Sequence, residues 1–244
     1  MLMHYVSNAG VILSNGGASI GIDCFSKDAD KIYQDIPASV RKELLEEIEK
    51  GNLNTLIFTH EHSDHFCVED VKEAWNGNRH LQIYSTCEVI KQLLQAGIDV
   101  SCLHQVSEGQ ELHLGNINIS FLYTAHEGEQ YANVPNLTLL IKIEDKKVVV
   151  TGDAAPCETL FQKITTWSRD IDWFFAPFPY VGLRSTRKIL YDNINIHNIF
   201  VLHQPRKEAD TQHWVSNAKK VCECATDGLP MPIFPENPGD RYCI

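Results

Sequence analysis

The chain has 244 residues, of which 43% are hydrophobic and 22% charged, values that fit a soluble globular protein of one or two α/β domains. Its formal net charge of −11 disfavours a nucleic acid as the main partner, because binding a phosphate backbone needs clustered Lys and Arg. The sequence opens without a basic stretch followed by an apolar one, and it contains no run of about 18 or more apolar residues that could span a membrane.

Apolar spacing and turn residues divide the first half of the chain into strands and helices. A hairpin at the start has Ser14-Asn15-Gly16-Gly17 as its turn, and Asp23 closes its second strand. Gly51-Asn52 ends the first predicted helix, and Asn76-Gly77 ends the second. The expected elements are the hairpin over 10–23, helix 38–50, strand 55–59, helix 68–75, strand 81–84 and helix 87–96.

The second half is predicted to be richer in strands. Gly115-Asn116 is a hairpin turn signal, and Pro177 closes a short buried strand. The expected elements are strands 111–114, 117–123, 137–143 and 147–150, helix 156–167, strand 173–176, helix 185–193, strand 199–202 and helix 211–226. The end, residues 228–244, is predicted to be a loop. Because no repeat or linker interrupts the pattern, we predict a single domain over residues 1–244.

One short motif carries most of the chemistry. Thr59-His60-Glu61-His62-Ser63-Asp64-His65 packs three imidazoles and a carboxylate into one loop. It follows Leu56-Ile57-Phe58, an apolar run that predicts a buried strand. Imidazole nitrogen and carboxylate oxygen are ligands that zinc, iron and manganese accept. The motif therefore predicts a metal site.

Three further apolar runs lead to a residue that can bind metal, namely His126, Asp153 and His203. Sites in α/β proteins form where strand-end loops meet, so these residues are expected over the loop at 60–65. Seven ligands exceed the needs of one tetrahedral zinc and suit two metals with a bridging carboxylate. Asp153 is our choice for the bridge, because each of its oxygens can bind one metal. Taken singly, each histidine could instead be structural, and Asp153 could be a cap.

The ordered set resembles the metallo-β-lactamase superfamily. The resemblance rests on His60-x-His62-x-Asp64-His65, followed by the three strand-end residues, and on Asp23, which matches the acidic residue of the first family motif. It implies an α/β fold, a four-layer αβ/βα sandwich with the metals at one edge. It also implies the ligand sets of two metals. The first metal would take His60, His62 and His126, the second would take Asp64, His65 and His203, and Asp153 with a hydroxide would bridge them.

In such a site Asp23 would fix the loop rather than bind metal, and Asp64 could also steer protons. The resemblance implies a hydrolase that uses the bridging hydroxide on a small ester, lactone or phosphodiester, loosely nearest the compact lactonase-like members. The two divalent ions would be zinc, with manganese or iron as alternatives. Two other functions stay open: a diiron redox or oxygen-binding protein, and a non-catalytic metal-binding regulatory protein of the same fold.

Two basic clusters and one phenol are candidates for substrate contacts. The clusters are 184–188, with Arg184, and 206–207, with Arg206, and either could bind a phosphate or carboxylate. Tyr180 could donate a hydrogen bond to an oxyanion. Solvated helix-start charges are the competing interpretation of both clusters. We expect a small-molecule substrate, which could be anionic, and no nucleic-acid or membrane partner. We also expect a cytoplasmic protein whose eight cysteines are reduced thiols.

Overall fold

The computed structural model describes residues 1–244, and the chain divides into two compact units that interleave in sequence. The first unit comprises Met1–Ser107, Leu114–Asn116 and Glu236–Ile244, and the second comprises Glu108–His113 and Ile117–Pro235. Each unit has its own apolar core. The single domain predicted over residues 1–244 stays a prediction.

Thirteen strands and seven helices make up the two units. The strands are β1 (Leu2–Ser7), β2 (Gly10–Asn15), β3 (Ala18–Ile22), β4 (Thr55–Ile57), β5 (Gln82–Ser85), β6 (Leu103–Gln105), β7 (Glu111–Leu114), β8 (Ile117–Ala125), β9 (Pro135–Ile143), β10 (Lys146–Val150), β11 (Asp170–Pro177), β12 (Asn195–Leu202) and β13 (Arg241–Cys243). The helices are α1 (Ala38–Glu49), α2 (Val68–Gly77), α3 (Cys87–Gln95), α4 (Glu158–Trp167), α5 (Pro179–Gly182), α6 (Arg184–Asn193) and α7 (Trp214–Cys224). The predicted α/β class is confirmed. None of the helices combines the length and apolar character needed to cross a bilayer.

The sheet of the first unit has the strand order β13-β1-β2-β3-β4-β5-β6. Strands β13, β1, β2 and β3 pair antiparallel, and β3 to β6 pair parallel. Helix α1 buries Val40, Leu44 and Ile48 in the core of this unit, because a spacing of four residues puts all three on one face of a helix. Strand β4 is buried throughout, which is why Leu56 and Ile57 are both apolar rather than alternating with a polar residue.

The sheet of the second unit has the strand order β12-β11-β10-β9-β8-β7. Strands β8, β9 and β10 pair antiparallel, and β10 to β12 pair parallel. Helix α4 contributes Leu160, Phe161 and Ile164 to the core of this unit. It follows from these pairings that β8, β10, β11 and β12 run in one direction, so their carboxyl ends share one edge of the sheet.

Three strands are present that the sequence did not predict, namely β1, β6 and β13. The loop predicted over 228–244 is wrong at β13, which pairs with β1 and sets Met3 opposite Tyr242. A three-residue edge strand depends on its partner for order, so its own sequence shows little pattern. Strand β1 escaped prediction because every residue after Leu2 is buried, and the alternation typical of a half-buried strand is absent.

Candidate metal centre

The donors of the first unit follow the carboxyl ends of two parallel strands. Strand β3 ends directly before Asp23, and β4 leads through Phe58 and Thr59 to His60. The backbone N–H of Asp23 donates to the carbonyl of Ile57 at 3.0 Å, which fastens the two strand ends together. Asp23 and His60 are both buried. The loop 60–65 therefore begins on a rigid part of the sheet.

A single carboxylate organises this loop. Asp23 Oδ1 accepts the backbone N–H of Thr59 at 2.8 Å, while Oδ2 accepts Thr59 Oγ1 at 2.7 Å and His65 Nδ1 at 2.8 Å. Thr59 Oγ1 also lies 3.0 Å from His60 Nδ1. Because the hydroxyl proton goes to Asp23, the hydroxyl oxygen accepts from His60 Nδ1. Both rings then keep an unprotonated Nε2, the form of imidazole that binds metal.

The donor atoms of the loop lie close together in pairs. His60 Nε2 is 3.1 Å from His62 Nδ1, and His65 Nε2 is 3.6 Å from Asp64 Oδ2. Donors at about 2.0–2.1 Å from a tetrahedral zinc are about 3.4 Å apart. Both separations therefore fit donors that share a cation.

In the second unit, one carboxylate lies near two imidazoles. Asp153 Oδ2 is 3.1 Å from His203 Nε2 and 3.7 Å from His126 Nε2. His126 Nδ1 donates to the backbone carbonyl of Glu127 at 2.6 Å. The Nε2 atom of this ring is then unprotonated and able to bind a metal. His126, Asp153 and His203 are all buried. They follow the carboxyl ends of β8, β10 and β12, which share one edge of this sheet.

Unusual backbone conformations occur at several of these positions. Asp23 has a φ of 47° and His203 a φ of 57°, in the left-handed region that few residues other than glycine adopt. Gly152, with a φ of 54°, supplies the same turn directly before Asp153. Such conformations persist at functional sites because the surrounding structure imposes them. Tight turns at the strand ends thus direct the donor side chains.

The chemistry of the donors fits divalent metal ions. The first unit offers three imidazoles and a carboxylate, from His60, His62, His65 and Asp64, and the second offers two imidazoles and a carboxylate. Burying such groups is costly unless they are paired or coordinate a metal. Zinc, manganese and iron all accept this combination, so the choice among the three predicted metals stays open.

Three further residues hold these donors and were given no role from the sequence. Thr59 links Asp23 to His60, as described above. Asn8 donates to Asp64, and Asn136 accepts from the backbone of Asp153. Asn8 directly follows β1, so predicting that strand would have marked it as another polar residue at a strand end. Asn136 lies near the beginning of β9, where the strand-end pattern gives no signal.

Tyr180 lies in the second unit with its side chain buried, at 2% relative exposure. Its hydroxyl donates to the backbone carbonyl of Ala154 at 2.5 Å. Burial raises the pKa of Tyr180 well above its usual value, so the phenol stays protonated. The predicted oxyanion contact would require this hydrogen bond to break, and that role stays a prediction.

The two arginines predicted to contact substrate lie on different elements of the second unit. Arg184 is exposed at the start of α6 and lines a cavity of about 490 Å³ together with Lys188 and Tyr191. Arg206 is half-buried and follows β12, and its carbonyl accepts the backbone N–H of Asp210 at 3.0 Å. Their contacts with a substrate stay predictions.

Comparison with known proteins gives matches to a family and to solved structures. A family model described as a beta-lactamase superfamily domain matches residues 21–208. No curated protein matches the chain. A possible metal-dependent hydrolase from Veillonella parvula is similar in structure, with a TM-score of 0.72 and 15% identity over 100% of this chain and 99% of that one.

Two other solved structures are similar over nearly their full lengths. The metallo-beta-lactamase fold protein YhfI from Bacillus subtilis has a TM-score of 0.66 and 16% identity over 99% of this chain and 98% of its own. An isothiocyanate hydrolase from Delia radicum gut bacteria has a TM-score of 0.70 and 13% identity, covering 100% of this chain and 99% of that one. At these identities the likeness shows the fold.

Proposed function

This chain belongs to the metallo-β-lactamase superfamily, and from that premise we propose that it is a metal-dependent hydrolase with a binuclear centre. The family resemblance and the fold type predicted from the sequence are confirmed. The observation that carries the proposal is the network in which Thr59 binds His60 Nδ1 and Asp23 binds His65 Nδ1. This network leaves the Nε2 atoms of both rings available as donors.

The proposed ligands are those that the family resemblance assigns. One metal would be held by His60, His62 and His126, the other by Asp64, His65 and His203, with Asp153 as the bridge. The pairs of donor atoms within each unit support this division, because His60 is adjacent to His62 and His65 to Asp64. Asp153 Oδ2, adjacent to both histidines of its unit, supports a bridging role.

Bound divalent cations would supply Lewis acidity, which lowers the pKa of bound water to about 7 and polarises a carbonyl or phosphoryl oxygen. The protein's own residues hold the donors in place and keep the imidazoles in one tautomer. The sequence has one Gly-x-Ser-x-Gly pattern, at Gly17-Ala18-Ser19-Ile20-Gly21, but Ser19 lies within strand β3 and donates its hydroxyl to the carbonyl of Asn52. A serine nucleophile elbow instead places its serine on a strand-to-helix turn. The proposed reaction is therefore direct hydrolysis, without a covalent intermediate on the enzyme.

The substrate class that we propose is a small ester, lactone or phosphodiester. The net charge of −11 argues against a large polyanion, while bound cations would still attract a small anion. Because an isothiocyanate hydrolase is similar in fold, isothiocyanates also belong in a substrate screen. A cytoplasmic location stays a prediction.

The decisive experiment is elemental analysis of the protein purified without chelator. We expect about two equivalents of zinc or manganese per chain, and the substrate screen would then use that metal. Mostly iron, with a visible absorption band, would favour the diiron redox alternative. Bound metal without turnover of any substrate class would favour the regulatory alternative. Absence of metal, with none taken up on addition, would contradict the proposal.

A further inference from the structure

We propose that two buried asparagines, Asn8 and Asn136, are positioning residues that each fix one carboxylate ligand of the metal centre. The inference rests on the proposed function, since the carboxylates concerned are Asp64 and Asp153. Each asparagine lies in the same unit as its aspartate. Neither is part of the predicted ligand set, and each is at most 1% exposed.

Asn8 acts on Asp64 from the turn between β1 and β2. Its Nδ2 donates to the backbone carbonyl of Asp64 at 2.9 Å and lies 3.4 Å from the carboxylate Oδ2. The pairing of β1 with β2, and of β2 with β3, makes β1 run in the same direction as β3 and β4. Asn8 therefore lies at the same edge of the sheet as Asp23 and His60, where the carboxyl ends of β1, β3 and β4 meet.

The orientation of the Asn8 amide is fixed by the chemistry of its neighbour. A carbonyl and a carboxylate both accept hydrogen bonds and cannot donate, so the amide must present its NH₂ group to Asp64. Its Oδ1 is then buried without a donor. The backbone of Asn8 also adopts a left-handed conformation, with a φ of 44°. Unfavourable features of this kind accumulate where function requires one geometry.

Asn136 acts on Asp153 through the backbone. Its Oδ1 accepts the N–H of Asp153 at 3.0 Å, and its Nδ2 donates to the carbonyl of Thr151 at 2.9 Å and to Thr124 Oγ1 at 2.8 Å. One amide thus joins the end of β8 to the turn that follows β10. Because Asp153 lies on that turn, the hydrogen bonds to Asn136 fix the backbone from which the Asp153 carboxylate extends.

The two asparagines achieve the same result by different contacts. Asn8 binds the backbone carbonyl of Asp64 and lies beside its carboxylate, while Asn136 binds the backbone N–H of Asp153. Groups that orient metal ligands change metal affinity by about 10–100-fold when they are removed. We therefore expect Asn8→Ala and Asn136→Ala each to weaken zinc binding by about that factor.

The test is competition for Zn²⁺ with a chromophoric chelator, using the full-length parent and each variant. Asn118→Ala is the matched control, because Asn118 is exposed on β8 and pairs with His113 at 2.6 Å. Co²⁺ replacement adds a second readout, since its absorption bands report the geometry of the ligands. Where Asn136→Ala does not fold, Asn136→Ser replaces it, because the shorter side chain keeps a polar group at this position but cannot reach both the Asp153 N–H and the Thr151 carbonyl.

Weaker zinc binding and altered Co²⁺ bands in the Asn8 and Asn136 variants, with the control unchanged, would support the inference. Lower melting temperatures with the parental zinc affinity and Co²⁺ bands would show a structural role and overturn it, while the proposed function would stand. A parent protein that binds neither ion would overturn both.

Discussion

His65 Nδ1 lies 2.8 Å from Asp23 Oδ2, and both side chains are buried. The two residues are far apart in sequence, yet the same carboxylate also binds the backbone and hydroxyl of Thr59. An aspartate that follows one strand therefore sets the position of a histidine in the loop that follows the neighbouring strand.

Replacing Asp23 by asparagine is expected to reduce metal affinity by about 10–100-fold. The amide has one acceptor oxygen where the carboxylate has two, so either Thr59 or His65 loses its partner. The measurement is zinc affinity by chelator competition, with the exposed Asp30→Asn as the control. Parental affinity in the Asp23 variant would show that the network does not orient the ligands.

Thr59→Val keeps the shape of the side chain and removes its hydroxyl group. His60 Nδ1 then loses its acceptor at 3.0 Å, so the ring is no longer held in one orientation. We expect metal affinity to fall about 10-fold, whereas Thr59→Ser, which keeps the hydroxyl, should retain it. Equal affinities in the valine and serine variants would rule out this role for the hydroxyl.

Asp153→Asn is expected to abolish hydrolysis and to lower metal content. The amide is neutral and has one acceptor oxygen, so it cannot serve two cations as a carboxylate can. Turnover and metal content would be measured on the same preparations, with the exposed Asp145→Asn as the control from the same unit. Hydrolysis at the parental rate in the Asp153 variant would refute the assignment.

The stability of the second unit should depend on pH through Asp227. Arg187 is 2% exposed and donates to this carboxylate through Nε at 2.7 Å and Nη2 at 2.8 Å, which lowers the pKa of Asp227. A carboxylate with a lowered folded-state pKa contributes stability above the unfolded pKa, about 3.9, and loses it as pH falls through the folded pKa. The melting temperature of the parent should therefore fall below about pH 4.

Asp227→Ala tests the same pair, because it leaves the Arg187 guanidinium buried without its carboxylate. We expect a loss of about 3 kcal/mol in the free energy of unfolding at neutral pH, and a weaker pH dependence between pH values of about 5 and 2. Denaturant unfolding at several pH values measures both. A variant with the stability and pH profile of the parent would show that the pair contributes nothing.

Apolar runs followed by a polar residue made the order of the elements and of the donors predictable. Residues such as Ile57 and Phe58 show a buried strand directly, and the next polar residues mark its end. Side chains that hold the donors were not predictable in this way, because the role of Asn8 depends on Asp64, which is distant in sequence. Tyr180 shows the same limit, since nothing beside it in the sequence indicates that its hydroxyl binds the carbonyl of Ala154.

The interleaving of the two units has a consequence for synthesis on the ribosome. Strand β13 belongs to the sheet of the first unit, yet it follows every residue of the second unit in the chain. Domains generally fold as units while the chain emerges from its N-terminus. The edge of β1 must therefore wait unpaired until translation has passed the whole second unit. A chaperone that binds nascent strands would have its longest opportunity at that edge.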